Sequence, residues 1–295
     1  HSRSSMKKIT IQIVFIFLSF GHSLYAGESF RLIFSHSLKG NVNACTCTAI
    51  PIAGLLKRDF FFQKIQVSPD RDILIEAGDF YAPSQDAKKK PALEEGFSRM
   101  GYHLLVPGMN EFKNAGSDEL NRFSHLTVSN IKITGSSSQF TSGIGILERN
   151  GRKVVILPYM TKAAFLRIPE PYRKKYSHIP FDAVYRYVQE NVKHDFLILA
   201  VYGKLADAPE WISVKKEKSV VILGGDETKS SSGFSDTASG RIYHNSGKNG
   251  DDISVLEISL KDFKVIQSKV TTLDADKEKD SERIQKILDK YGIKD

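Results

Sequence analysis

Apolar positions in this chain come in short unbroken runs that stop at glycine, asparagine or aspartate. Between them lie stretches whose apolar positions recur every three or four residues. An unbroken run of about four to eight apolar residues reads as a strand buried on both faces, and the wider spacing reads as an amphipathic helix. The first run, Leu32-Ile33-Phe34, leads into the polar loop Ser35-His36-Ser37-Leu38-Lys39-Gly40-Asn41, which continues to Cys45-Thr46-Cys47. Strands are expected over 72–80, ending in Gly78-Asp79, over 101–106, closed by Pro107-Gly108, and over 126–133. Residues 145–157 hold Asn150-Gly151 between two apolar segments, the signature of a β-hairpin. Further strands are expected at 196–202, at 219–226 with Gly224-Gly225-Asp226 at its end, and at 241–245, 254–260 and 263–270.

Helical spacing marks 51–65, where Pro51 suits a first turn, then 92–100, and 181–192, where Phe181, Val184, Tyr185, Val188 and Val192 share a face. Proline and charge break the chain at 169–180, and 227–240 reads as a loop rich in Ser, Thr and Gly. The tail 274–291 is charged, with a narrow apolar stripe of Ile284, Ile287 and Leu288, and reads as a surface-packed or fraying helix. Alternating strands and helices predict a single α/β domain whose polar loops lie at the carboxyl ends of its strands, the edge where such sheets hold ligands.

The N-terminus changes this picture only by what it removes. Residues 1–5 precede the first methionine and read as a scar or over-read start. Residues 6–26 read as a signal peptide, with Lys7 and Lys8, an apolar run too short for a membrane span, and Ser23-Leu24-Tyr25-Ala26 before the cleavage point. The expected divisions are thus a leader over 1–26, a domain over 27–272 and a charged C-terminal helix or tail over 273–295, with a periplasmic or secreted mature chain lacking a transmembrane segment. The formal charge of +8, less the three positive charges of Arg3, Lys7 and Lys8, leaves +5. The basic residues fall in separate short clusters, Lys88-Lys89-Lys90, Arg173-Lys174-Lys175 and Lys215-Lys216, which read as solvated surface and not as a nucleic-acid footprint. With 41% hydrophobic residues the chain can bury a large core, and two cysteines cannot frame a disulfide scaffold.

Five strand-end loops in order give a resemblance. Ser37-Leu38-Lys39-Gly40-Asn41, Gly78-Asp79, Gly108-Met109-Asn110-Glu111-Phe112, Ala200-Val201-Tyr202-Gly203 and Gly225-Asp226-Glu227-Thr228 resemble the metal-binding loops of the calcineurin-like metallophosphoesterases, in the 5′-nucleotidase and UDP-sugar hydrolase branch. The resemblance covers nearly all of 29–260 and implies a four-layer α/β/β/α sandwich with two mixed sheets. It also implies a dinuclear centre, in which two divalent ions share a bridging carboxylate and take further Asp, His and Asn ligands to polarise a phosphate. Here Asp79 keeps the bridging position. Ser37 stands for an acidic ligand, Lys39 and Val201 for imidazoles, Met109 for the asparagine, Asn110 for the phosphate-stabilising histidine, and Asp226 and Thr228 for the last His pair. A one-residue shift that makes Asn110 a ligand leaves a reduced site of Asp79, Asn110 and Asp226 for one Mg²⁺, Mn²⁺ or Ca²⁺. His36 lies beside the lost ligand positions and is a candidate substitute ligand, although strand alternation points it away from Ser37's side and an ordinary core or rim histidine is the favoured reading; His103, His125, His178, His194 and His244 lack ligand spacing and read as structural or surface residues.

Residues 41–58, with Cys45-Thr46-Cys47, Pro51, Gly54 and Arg58, resemble exported members of the same branch that carry Cys-Gly-Cys in the first loop and degenerate metal motifs. Cys45 and Cys47 fit a strained disulfide, a metal thiolate pair, a redox couple or inert loop cysteines. The leading expectation is an exported pseudoenzyme without a cofactor, binding a protein partner or an anionic ligand in the envelope and not nucleic acid. The alternatives are a divergent metal-dependent phosphoesterase with a reduced site, or a thiol redox protein. The nucleotide-recognition domain that follows the catalytic domain in full-length relatives is not expected after Leu260.

Overall fold

The computed structural model describes residues 29–45, 51–84, 86–114, 129–135, 143–211, 213–214, 219–225, 232–237, 240–245 and 247–294. The expectations for 1–26, for the segment 126–128, and for Cys47, Asp226 and Thr228 lie outside them.

Two mixed sheets carry the fold. The first runs from one edge to the other as β13 (Val265–Thr272), β12 (Asp252–Ser259), β1 (Ser29–Ser35), β2 (Asp72–Glu76) and β3 (Leu104–Leu105). In it β1, β2 and β3 run parallel, β12 pairs antiparallel with β1, and β13 pairs antiparallel with β12. The second runs as β10 (Gly233–Thr237), β11 (Gly240–His244), β9 (Ser219–Gly224), β8 (Phe196–Tyr202), β6 (Arg152–Met160) and β5 (Gly145–Arg149). A two-stranded sheet of β4 (Ile131–Ile133) and β7 (Tyr176–His178) lies apart.

Side-chain alternation explains the layering. In β1, Leu32 and Phe34 face one side and Ile33 the other, and both sides are buried, so the strand reads as continuous apolar sequence. Leu32, Phe34, Ile73 and Ile75 meet Ile156, Phe196, Ile198 and Ile222 of the second sheet in an inter-sheet core. Ile33 and Leu74 pack outward against α1 (Gly54–Lys64), α2 (Lys89–Met100) and α7 (Glu282–Lys290). Leu157, Leu199 and Leu223 pack outward against α6 (Phe181–Asn191) and the Trp211 end of a 3₁₀ segment, Leu205–Trp211. The result is an α/β/β/α sandwich.

The hairpin forms as the sequence predicts. Asn150 and Gly151 have φ of 48° and 73°, the paired left-handed geometry of a tight turn between β5 and β6. Several elements depart from the pattern. α2 begins at Lys89, ahead of the expected 92, because Pro91 falls in its first turn, where no amide hydrogen is needed. The stretch 169–180 holds a short helix and β7, and the polar loop after 227 contains β10. Short helices α3 (Met109–Asn114), α4 (Lys162–Arg167) and α5 (Glu170–Arg173) complete the set. The charged tail forms α7, whose Ile284 and Leu288 are fully buried beside α1 and α2. No helix among the described residues is long and apolar enough to cross a membrane.

Candidate functional site

The carboxyl ends of β1, β2, β3, β8 and β9 meet at one edge of the sandwich, and backbone hydrogen bonds knit their loops together. Ser37 N donates to Gly78 O at 2.8 Å, Lys39 N to Asp79 O at 2.9 Å, and Gly203 N to Gly224 O at 3.0 Å. Across the sheets, Ser37 Oγ lies 3.4 Å from Gly225 O. Ser37, Lys39 and Asp79 all have φ between 52° and 60°, a conformation uncommon for residues with side chains. Three such residues in touching loops mark the place where backbone strain is concentrated.

Asp79 is 4% exposed, and each of its oxygens is occupied. Oδ1 accepts from Asn110 N at 3.0 Å, and Oδ2 accepts from the Tyr202 hydroxyl at 2.6 Å. The tyrosine ring is seated by two glycines. A Cβ on Gly78, where φ is +104°, would stand 2.3 Å from the ring, and one on Gly108 would stand 2.6 Å from both the ring and Asp79 N. Beneath Asp79, Glu111 is fully buried and accepts the amides of Asp79 at 3.0 Å, Tyr81 at 2.7 Å and Gly108 at 2.7 Å, which clamps the second loop to the third. Burial, with the nearby charge of Asp79, pushes the Glu111 carboxyl up to about 8 against the pull of those amides.

The other expected site residues are distributed around this pair. Asn110 lies beside Asp79, but its side-chain amide donates to Tyr81 O at 3.0 Å. Ser37 Oγ lies 2.9 Å from His36 Nδ1, so the histidine that strand alternation turns away from Ser37 in fact touches it, because the chain has left the strand and Ser37 adopts a left-handed conformation. His36 faces Asn245 O through Nε2 at 3.3 Å, so Nε2 carries the hydrogen and Nδ1 accepts. Burial holds the His36 pKa below its usual range and favours the neutral ring. Lys39 is exposed at the rim. Met109 packs on the inter-sheet core, and Val201 points into the outer core under α6, so Tyr202, the next residue along β8, is the one that reaches Asp79. Cys45 is disulfide-bonded, and its backbone pairs with Ile52 in both directions at 2.8 Å. His36, His244 and Asn245 line a cavity of about 10 Å³ with Gly225, room for a single water.

Divalent ions need several anionic or imidazole donors with open lone pairs. The expected ligand positions among the described residues supply one carboxylate with a hydrogen bond on each oxygen, a serine, an amide, an ammonium, a thioether and a valine, while the nearby Glu111 carboxylate is taken up by three backbone amides and His36 by Ser37 and Asn245. They do not fit a dinuclear centre, and no cluster of three or more His, Cys, Asp or Glu among them is placed to hold a metal.

Two site residues, Tyr202 and Glu111, did not stand out in the sequence. Both lie inside the strand-end segments that carry the resemblance, and only the direction of β8 reveals that Tyr202 faces inward. A second such feature lies just behind the loops. Arg58 and Glu76 are both fully buried and pair at 2.7 Å. Ser35 Oγ also donates to Glu76 at 2.5 Å, and Arg58 donates to Tyr102 OH at 3.0 Å and Gly250 O at 2.6 Å. Among the described residues, Arg58 Nε and Glu76 Oε1 have no partner.

No family model and no curated protein matches the sequence. Solved structures match over 90% of the chain: sulfate thiohydrolase SoxB from Thermus thermophilus, at 10% identity and a TM-score of 0.69 over 60% of its length; a 5′-nucleotidase precursor, also from Thermus thermophilus, at 14% and 0.66 over 58%; and the calcineurin-like phosphoesterase YfkN from Bacillus subtilis, at 13% and 0.65 over 97%. The chain thus spans about three fifths of the first two and nearly all of the third. At these identities the likeness shows the fold, that of the calcineurin-like phosphoesterases in its 5′-nucleotidase-like form.

Proposed function

We propose that this chain is an exported, non-catalytic member of the phosphoesterase fold that uses the scaffold to bind a protein partner or an anionic ligand. One observation carries the reading: the bridging carboxylate, Asp79, has its two oxygens closed by Tyr202 and by the Asn110 amide, in a cleft whose glycines admit the tyrosine ring. Each Asp79 oxygen already accepts one hydrogen bond, which takes up acceptor capacity a cation would use, and a tyrosine has no imidazole lone pair to offer in exchange. The Lys39 ammonium at the rim favours an anionic partner. The leader reading of 6–26 places the mature chain in an oxidising compartment, where a disulfide at Cys45 persists.

The test is metal analysis of the purified protein together with hydrolysis of p-nitrophenyl phosphate and nucleotides after loading with Mn²⁺, Mg²⁺ or Zn²⁺. The expected result is substoichiometric metal and no hydrolysis above background. Metal-dependent hydrolysis that disappears in Asp79→Ala would overturn the reading in favour of a reduced metal site at Asp79, Asn110 and Asp226.

A further inference from the structure

A cavity of about 220 Å³ opens at the opposite edge of the second sheet, between α6 and the N-terminal ends of β8 and β9. Its floor is Leu197 and Val192, and its walls carry Tyr185, Gln189 and Ser219, with Lys193 and His194 where the helix gives way to β8. Among the described residues, no carboxylate lines it. Asp195, the adjacent acid, is turned toward the hairpin, accepting from Lys153 N at 2.9 Å and lying 3.3 Å from Arg152.

A helix C-terminus ordinarily disfavours anions, because its last carbonyls point outward. At this end Val192 N donates to Val188 O at 2.9 Å, and just beyond the helix His194 Nδ1 lies 2.7 Å from Val192 O. The last of these also fixes the imidazole. A carbonyl cannot donate, so Nδ1 carries the hydrogen, and Nε2 lies 3.5 Å from the Gln189 amide.

We propose that this cavity binds the phosphoryl group of a small hydrophilic phosphate monoester, held by Lys193, His194, Gln189 and Ser219. Donors from a helix, a connecting loop and a strand approach from different directions, which suits the three terminal oxygens of a tetrahedral phosphate better than a planar carboxylate. The volume exceeds the roughly 150 Å³ that admits benzene and falls short of the roughly 300 Å³ at which drug-sized pockets begin. That sets the ligand at the size of a glycerol or triose phosphate and leaves a nucleotide too large to enclose. The site shares no residue with the strand-end loops, so it stands or falls separately from the reading of Asp79.

The test is a titration of the ¹⁵N-labelled protein with glycerol 3-phosphate, followed through backbone amide resonances, with glycerol and acetate as controls. Saturable shifts are expected at residues 189, 193, 194 and 219, with no response to glycerol. In Lys193→Glu the Kd should rise at least tenfold while the urea unfolding midpoint stays unchanged, since Lys193 is exposed. His194→Ala should weaken binding in the same direction. Absent shifts, shifts confined to the strand-end loops, or unchanged affinity in Lys193→Glu would overturn the proposal. Acetate binding with equal affinity would overturn the phosphoryl assignment.

Discussion

Tyr202 and Asp79 set the chemistry of the strand-end loops through one hydrogen bond of 2.6 Å between buried groups. Removing the hydroxyl leaves a buried carboxylate oxygen without its donor, and such an oxygen carries its full desolvation cost, about 1–3 kcal/mol. Tyr202→Phe should therefore lower the unfolding free energy by that amount in urea titrations, while the ring still fills its space. Gly108→Ala tests the packing of the same ring: a methyl 2.6 Å from Asp79 N and the tyrosine edge forces the third loop away. Overpacking of this kind costs about 1–3 kcal/mol, and here it should also disturb the amide resonances of both loops. Asp79 was legible in the sequence because Gly-Asp ends an apolar run. Tyr202 was not, because a tyrosine that ends an apolar strand looks like any other core aromatic.

Among the elements, α1 and α7 do most to brace the site from behind. α1 carries Arg58 to Glu76 at the end of β2, and breaking a fully buried pair leaves an uncompensated charge that costs about 3–5 kcal/mol. Glu76→Gln should show a loss of that order in chemical denaturation, whereas a matched apolar replacement of both partners should be far milder. α7 is anchored to α1 through Asp59, whose carboxylate accepts from Ser281 and Arg283, and Ser281 also caps the helix. Ser281→Ala should cost about 1 kcal/mol as a lost cap, with more where Asp59 loses its donor, measurable as a lowered urea midpoint. The narrow stripe of Ile284, Ile287 and Leu288 was visible in the sequence, but its burial was not. Charged residues dominate the segment, and what covers the stripe comes from α1 and α2, far earlier in the chain.

Across the whole molecule, buried acids give stability a particular dependence on pH. Burial pushes Glu111 up to about 8 and Asp251 up to about 7, so both hold a proton in the folded state at pH values where the unfolded chain has lost it. Their stabilisation is complete below the unfolded carboxylate pKa near about 4 and is lost as pH rises through about 7 to 8. His36 acts in the opposite sense, since a depressed pKa favours the fold above about 6.5 and opposes it as pH falls. The urea midpoint should thus decline between about pH 5 and about pH 8.5, and Asp251→Asn should flatten the lower part of that decline. The sequence by itself determined the order of the long core strands and helices, the hairpin at Asn150-Gly151 and the strand-end loops, because these follow from local periodicity and turn chemistry, while the short elements β7, β10 and α3 to α5 escaped it. Only the tertiary structure decided which side chains meet. The pairing of β1 with β12, the contact of Tyr202 with Asp79 and the burial of α7 join residues that are distant along the chain, and a one-residue step along a strand reverses the face a side chain takes. Val201 and Tyr202 are one such step apart: Val201, the position at which the resemblance implies an imidazole, turns into the outer core, and Tyr202 turns to Asp79.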